Sequence, residues 1–125
     1  MKDLILELMH KDNYRALVPR QIMEKIGSDD LVSVMKALNE LEDEHLIIHD
    51  THGHYALLSY FQVYIGTIDI KEAGFGFVRI SDETKDVFVK RKDTLNAIDK
   101  DLVYVQITKN DSRGPEGIVI DIVKR

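Results

Sequence analysis

The segment KEAGFGFVRI, residues 71–80, alternates two glycines with two phenylalanines inside a stretch that otherwise has the composition of a β-strand. Successive side chains of a strand point to opposite faces. One face therefore carries the aromatic rings and a basic side chain: Phe75, Phe77 and Arg79. The opposite face carries the small and aliphatic residues: Gly74, Gly76, Val78 and Ile80. Glycines on that inner side let the strand coil tightly, as a small barrel requires.

A second segment, DVFVK at residues 86–90, repeats this division. Its two valines share one face, whereas Phe88 and Lys90 share the other. Burying an unpaired Arg or Lys is expensive, so the face with the basic side chains should point to solvent and the aliphatic face should form the core. In the opposite arrangement the phenylalanines fill the barrel and Arg79 extends its charge to the barrel mouth.

An exposed apolar patch of three phenylalanines indicates a binding surface. Aromatic side chains stack on the bases of single-stranded nucleic acid, and Lys or Arg beside them can bind its phosphates. The predicted stacking residues are Phe75, Phe77 and Phe88. The predicted phosphate contacts are the neighbouring basic residues Lys71, Arg79, Lys90 and Arg91.

Only strands are predicted after the composition changes at SYFQ, residues 59–62. The five strand segments are QVYIGTIDI, GFGFVRI, DVFVK, DLVYVQI and GIVIDIV, with a loop KNDSRGPE before the last. In the first segment the apolar alternation slips by one residue at Gly66–Thr67, which predicts a β-bulge and a bend. Five short strands with a bent first strand predict a barrel of the OB type over residues 60–125.

The first half of the chain predicts three helices followed by a β-hairpin. A second helix is bracketed by Pro19 and Gly27, and a third helix is predicted to start near Ser28 as its N-cap. The segments HLIIHD and HYALL predict the hairpin. Three helices and a hairpin within residues 1–59 are typical of a winged helix. The predicted class is therefore α+β, with two small domains.

Composition excludes several kinds of site. The chain of 125 residues has no cysteine, which excludes disulfides and thiolate zinc sites, and it has no apolar stretch long enough for a membrane helix. An intracellular protein is expected. Histidines at positions 49, 52 and 54 have a spacing that a metal site could use, but an exposed polar turn is the favoured interpretation, and no metal site is predicted. No grouping of acids or nucleophiles predicts a catalytic centre, and the glycines lack the spacing of a phosphate-binding loop.

At the aromatic segments the sequence resembles the cold-shock domain. KEAGFGFV is similar to the first ribonucleoprotein motif of that family, and DVFVK to the second. The family usually has an exposed tryptophan on its first strand, where this chain, which lacks Trp, has Ile68 or Ile70. The order of a winged helix, these motifs, NAIDKDLVYVQI and RGPEGIVIDIVKR resembles the N-terminal region of ribonuclease R-like exoribonucleases of the RNB family.

The resemblance implies a cytoplasmic 3′→5′ exoribonuclease whose N-terminal region captures single-stranded or structured RNA. It also implies that the magnesium-binding aspartates belong to a catalytic part absent from this chain, so no cofactor is expected here. It assigns Phe75, Phe77 and Phe88 to base stacking.

Two alternatives come from other classes of protein. The winged helix could read DNA in a transcriptional regulator, with the barrel binding a partner, although the third helix is acidic and offers only Lys36 as a base. Alternatively, the whole chain could be a protein-binding adaptor that contacts no nucleic acid.

Overall fold

The computed structural model describes residues 1–80 and 86–124, which fall into two compact units, Met1–Phe61 and Gln62–Arg125. The boundary predicted after residue 59 lies two residues before this division. Arg125, the last residue of the quoted closing segment, lies outside the described residues. None of the described helices is long and apolar enough to cross a membrane.

The first unit contains three α-helices, then a two-stranded hairpin, and last a short 3-10 helix, Leu58–Phe61. The α-helices and strands are α1 (Lys2–Met9), α2 (Pro19–Lys25), α3 (Leu31–Asp43), β1 (Ile47–His49) and β2 (Tyr55–Leu57), with β1 and β2 antiparallel. This order confirms the predicted succession of elements, whereas the winged-helix assignment stays a prediction. The core is built from one face of each helix and from the hairpin, and its fully buried side chains are Ile5, Ile22, Val34, Leu38, Leu41 and Ile47.

The helix ends were predicted with mixed success. Pro19 is the first residue of α2, and Gly27 follows the helix with a φ of 76°, as the sequence predicts. The N-cap of α3 is Asp30, so the prediction of Ser28 is wrong. The Asp30 carboxylate accepts hydrogen bonds from the Ser33 backbone N–H at 3.1 Å and from the Ser33 hydroxyl at 2.6 Å. The Ser28 hydroxyl instead accepts from the Asp30 N–H and supports the cap from outside the helix.

The second unit is a closed five-stranded barrel, which confirms the predicted OB-type fold. Its strands are β3 (Val63–Ile70), β4 (Gly76–Arg79), β5 (Val87–Val89), β6 (Leu102–Asp111) and β7 (Gly114–Lys124). Around the barrel they follow the order β3-β4-β5-β7-β6, and β5 and β7 form the parallel pair. The interior is aliphatic, and its buried members are Ile68, Val78, Val87, Val89, Val103, Val105 and Val119.

The first barrel strand passes from one neighbouring strand to the next without the predicted bulge. Residues 63–67 pair with β6 and residues 67–70 pair with β4, in both cases without a register shift. The inward face of β3 simply alternates through Tyr64, Gly66, Ile68 and Ile70, whereas Val63 is buried on the other side. A Cβ on Gly66 would lie 2.5 Å from the Arg79 carbonyl oxygen. Glycine therefore permits the close approach of strands where β3 passes from one neighbour to the next.

The last two strands form a longer hairpin than the sequence predicts. Residues 109–116 were predicted as a loop, yet Lys109, Asn110 and Asp111 pair with Glu116, Pro115 and Gly114. Most side chains near this tip are exposed on both sides of the ribbon, from Thr108 to Arg113. Such a ribbon buries neither face, so it lacks the alternation of apolar and polar residues by which a strand is predicted.

Candidate nucleic-acid interface

Phe75, Phe77 and Phe88 form one cluster on the outside of the barrel, here called the aromatic face. The ring centroids lie 5.5 Å apart for Phe77–Phe88, 5.8 Å for Phe75–Phe88 and 5.9 Å for Phe75–Phe77. All three rings are half-buried, so each keeps surface for a ligand. Phe77 and Phe88 are direct partners across β4 and β5, which brings together two residues that lie eleven positions apart in the chain.

The opposite face of the same strands is the core. Val78, Val87 and Val89 are almost completely buried, while Arg79 and Lys90 are exposed. The predicted orientation of the strands is therefore confirmed, and the inverted arrangement with phenylalanines inside the barrel is wrong. The cost of burying two cations decided the orientation, as argued from the sequence.

The two glycines between the phenylalanines have different roles. Gly76 opens β4 on the inner face, where a Cβ would come within 3.0 Å of the Asp69 carbonyl oxygen and 3.1 Å of the Ile68 side chain. Gly74 precedes the strand and lies in a turn with a φ of 95°, so its predicted place on the inner face of a strand is wrong. The turn is closed by the Gly74 N–H, which donates to the Lys71 carbonyl at 2.8 Å.

Gly74 also brings Arg91 to the aromatic segment. A Cβ on Gly74 would lie 2.9 Å from both Cγ and Cδ of Arg91, so the Arg91 side chain lies directly against this turn. Lys71, at the start of the same turn, is exposed, and its N–H donates to the Phe75 carbonyl at 2.9 Å. The structure thus places two of the predicted phosphate-binding residues, Lys71 and Arg91, at the turn that carries Phe75.

The other two predicted basic residues are held by carboxylates. Arg79 Nη2 lies 3.0 Å from Asp69 Oδ2, and Lys100 Nζ donates to the other oxygen of the same carboxylate. The hydrogen bond from Lys100, with the nearby charges of Lys100, Arg79 and Lys71, holds the pKa of Asp69 below its ordinary value. On the other side, Lys90 Nζ lies 3.5 Å from Glu116 Oε2.

These acids complete a row across the barrel wall. Asp69 is the partner of Phe77, Phe77 is the partner of Phe88, and Phe88 is the partner of Glu116 in the parallel pair. Directly paired residues point to the same face. The row therefore reads acid, ring, ring, acid, with two basic side chains bound to Asp69 and one bound to Glu116. The rings form its apolar centre.

Sequence reasoning missed Asp69, Glu116 and Lys100. The pairing register was needed to place Asp69 and Glu116 beside the rings, and Lys100 reaches Asp69 from a turn between strands. The expectation that Ile68 or Ile70 takes the position of the family's tryptophan is also wrong. Both isoleucines pair with residues of the core face, and Ile68 is fully buried. Asp69, between them, is the residue that points to the aromatic face.

The three histidines of the hairpin do not gather around a common point. His49 Nδ1 lies 2.7 Å from Glu42 Oε2, and His54 Nδ1 lies 3.2 Å from Asp50 Oδ1. Over residues 1–80 and 86–124, no group of three or more histidine, aspartate or glutamate side chains is placed to hold a metal ion. The hydrogen bonds to Glu42 and Asp50 explain the imidazoles of His49 and His54 as parts of the helix end and the turn, and the His52 backbone N–H also donates to Asp50.

Comparison with known proteins gives a consistent picture. Residues 66–122 match the family described as the Ribonuclease B OB domain. Ribonuclease R 1 of Lactococcus lactis is 29% identical over 134 aligned positions, which cover 99% of this chain and 16% of that protein. Ribonuclease R of Thermotoga maritima is 28% identical, with 91% and 16% covered, and that of Acidithiobacillus ferrooxidans is 24% identical, with 81% and 23% covered.

The chain thus spans less than a quarter of the length of these relatives. The matched family region runs from Gly66 in the first barrel strand to Ile122 in the last, and it includes the whole aromatic face. The alignments with the ribonuclease R relatives also include the first unit, Met1–Phe61, here called the helical unit. The predicted resemblance is confirmed: the chain resembles the N-terminal region of ribonuclease R over most of its length, and residues 66–122 match the Ribonuclease B OB domain.

Proposed function

We propose that the barrel binds single-stranded RNA by stacking bases on the aromatic face. The observation that carries this proposal is the cluster of three half-exposed phenylalanine rings, all within 6 Å of one another, on the outside of an OB-type barrel. Rings at these separations present one continuous apolar surface, on which successive bases can stack. The likeness to proteins named ribonuclease R supports RNA as the ligand.

The phosphates are bound first by Lys71 and Arg91. Neither has a carboxylate within ion-pair distance among the described residues, and Arg91 is fixed against the turn that carries Phe75. Arg79 and Lys90 contribute more weakly, because a phosphate must compete with Asp69 and Glu116 for them. Affinity therefore depends mainly on stacking, which tolerates many base sequences.

In the whole protein, this region captures RNA and delivers its 3′ strand to the catalytic part of a cytoplasmic 3′→5′ exoribonuclease, which supplies the magnesium. In this proposal the barrel acts as a cold-shock-type RNA-binding domain and the helical unit as a winged helix beside it. The likeness to ribonuclease R over most of the chain supports this assignment. The alternative hypothesis, a transcriptional regulator that reads DNA, gains no support from α3, because the single basic residue of that helix is Lys36.

The test is the double variant Phe75→Ala/Phe77→Ala. Each stacked base contributes roughly 1–3 kcal/mol, so loss of two stacking rings should weaken binding of a labelled single-stranded RNA by about 30-fold or more. Fluorescence anisotropy measures the affinity, and far-ultraviolet circular dichroism verifies that the barrel remains folded, as expected for rings outside the core.

The matched control is Leu95→Ala/Ile98→Ala, which removes two exposed apolar side chains, 50% and 58% accessible, from the same unit. This variant should keep the parent affinity. Equal losses in both variants, or no loss in the phenylalanine variant, would show that the aromatic face does not stack RNA. Stronger binding of duplex DNA than of single-stranded RNA would favour the regulator instead.

A further inference from the structure

A second candidate site lies in the helical unit, which carries an excess of negative charge. Residues 1–61 carry six Lys or Arg against eleven Asp or Glu. Nevertheless, one cavity of about 360 Å³ in this unit is lined by three of the six basic side chains, Lys11, Arg15 and Lys25, and by no acid. Asn13 and Tyr14 add polar groups to its wall, and two leucines complete it. Half of the positive charge of an acidic unit is thus collected at one concavity.

These three basic side chains are not neutralised by neighbouring carboxylates. In contrast, Lys2 is bound by both Glu40 and Glu44. Among the described residues, no acid lies within ion-pair distance of Lys11, Arg15 or Lys25, and the sequence neighbours Asp12 and Glu24 do not line the cavity. Three like charges that converge without a counter-ion repel one another, so an anion in the cavity would relieve that repulsion.

The wall of the cavity is held in place by the hairpin. The Tyr14 hydroxyl donates to the Tyr55 carbonyl oxygen at 2.6 Å and accepts from the Leu17 N–H at 3.2 Å. The Tyr55 N–H in turn donates to the Leu17 carbonyl at 2.9 Å. Residues 11–17, which join α1 to α2, are therefore fixed at two points. Burial raises the pKa of Tyr14 to about 12, so its hydroxyl stays neutral beside the cations.

The chemistry of the lining selects phosphate. An arginine guanidinium donates two parallel hydrogen bonds to phosphate oxygens, and lysine ammonium groups supply point charges around it. The volume exceeds what one phosphate needs and leaves room for the attached sugar. We propose that this cavity binds a backbone phosphate of a polynucleotide, as a contact separate from the aromatic face. Its ligand shares the RNA of the proposed function, but the site does not depend on stacking.

The first experiment needs no RNA. Inorganic pyrophosphate is titrated into the full chain while amide signals are followed by NMR. Saturable shifts confined to residues 11–17 and to Lys25 are expected, and they should disappear in Lys11→Gln/Arg15→Gln. The matched control Arg20→Gln/Lys36→Gln makes the same change in charge in the same unit, outside the cavity, and should keep the shifts. Shifts that do not saturate, or that both variants lose equally, would overturn the site.

The second experiment identifies the source of the phosphate. The same variants are made in the Phe75→Ala/Phe77→Ala background and titrated with a labelled RNA at low salt, so the cavity is measured without the aromatic face. We expect residual binding that falls further in the cavity variant than in its control. If pyrophosphate fills the cavity but the RNA leaves these amides unshifted, the assignment to a polynucleotide is wrong. Because the aromatic face is already disabled, failure of the stacking proposal alone would leave this result unchanged.

Discussion

Substituting Asp69 with Asn should strengthen the dependence of RNA binding on salt. In the folded protein the Asp69 carboxylate binds two cations, Arg79 and Lys100, beside the partner ring Phe77. The variant removes one negative charge from the row and releases both cations. If each then contacts a phosphate, the slope of log affinity against log salt becomes steeper by about 0.7 per contact, or about 1.4 in total.

This change of slope is large enough to measure. Over a fourfold rise in salt, from about 50 to about 200 mM, the affinity of the variant should fall about 7-fold more than that of the parent chain. Fluorescence anisotropy with a short labelled RNA at several salt concentrations gives both slopes. The variant should also bind more tightly than the parent at the low end of the range.

The control for net charge is Asp121→Asn. Asp121 is exposed and its carboxylate accepts from the Ile122 N–H at 2.8 Å, and over the described part of the chain it forms no ion pair. This control adds the same charge without releasing a cation, so its slope should stay close to that of the parent. Identical slopes for Asp69→Asn and the parent would refute the idea that Asp69 withholds cations from phosphate. Identical slopes for both variants would assign the effect to net charge.

Two predictions concern stability. Gly66→Ala should destabilise the barrel by about 1–3 kcal/mol, because its Cβ would lie 2.5 Å from a backbone oxygen and 2.6 Å from the Val78 side chain; an unchanged midpoint of urea unfolding would mean that the strands can separate there at no cost. Asp30→Ala should lower the thermal midpoint of the helical unit by removing the cap of α3. Hydrogen bonds from the Ser33 hydroxyl and N–H hold the pKa of Asp30 below its ordinary 3.8. The parent protein therefore keeps the full contribution of this cap to the free energy of unfolding above pH 3.8, and loses it as the pH falls through the pKa that Asp30 has in the folded protein. The variant should lack that acid step in thermal melts followed by circular dichroism, and a step of equal size in both proteins would contradict this origin.

The sequence predicted the aromatic face because two independent constraints agreed. Strand alternation separated Phe75, Phe77 and Phe88 from the valines, and the expense of burying Arg79 or Lys90 decided which set faces solvent. Neither constraint depends on knowing which strands are neighbours. On β3 the sequence was a poorer guide, because both the supposed bulge at Gly66–Thr67 and the placement of Ile68 or Ile70 at an exposed position were wrong.

What the sequence could not supply is the register between strands. Asp69 and Glu116 looked like scattered acids in the chain, and only the pairing of β3 with β4 and of β5 with β7 places them beside the rings. The cavity of the helical unit was missed for a related reason. Lys11, Arg15 and Lys25 belong to a connection and to another helix, and their convergence depends on how Tyr14 is tied to the hairpin.

The shortest barrel strand has a consequence for how ligand and fold support each other. Strand β5 has three residues and meets β7 through two paired positions, Phe88–Glu116 and Val89–Gly117, and among the described residues no other seam of the barrel has so few pairs. Phe88 stands on that seam, and Phe77 stands on the neighbouring strand. An RNA stacked on both rings would hold β5 against its other neighbour, β4, from outside the barrel. By mass action, a ligand that binds the closed wall better than an opened one lowers the population of the opened wall. Occupancy of the aromatic face would therefore be detected as slower exchange of the backbone amides of Val87–Val89.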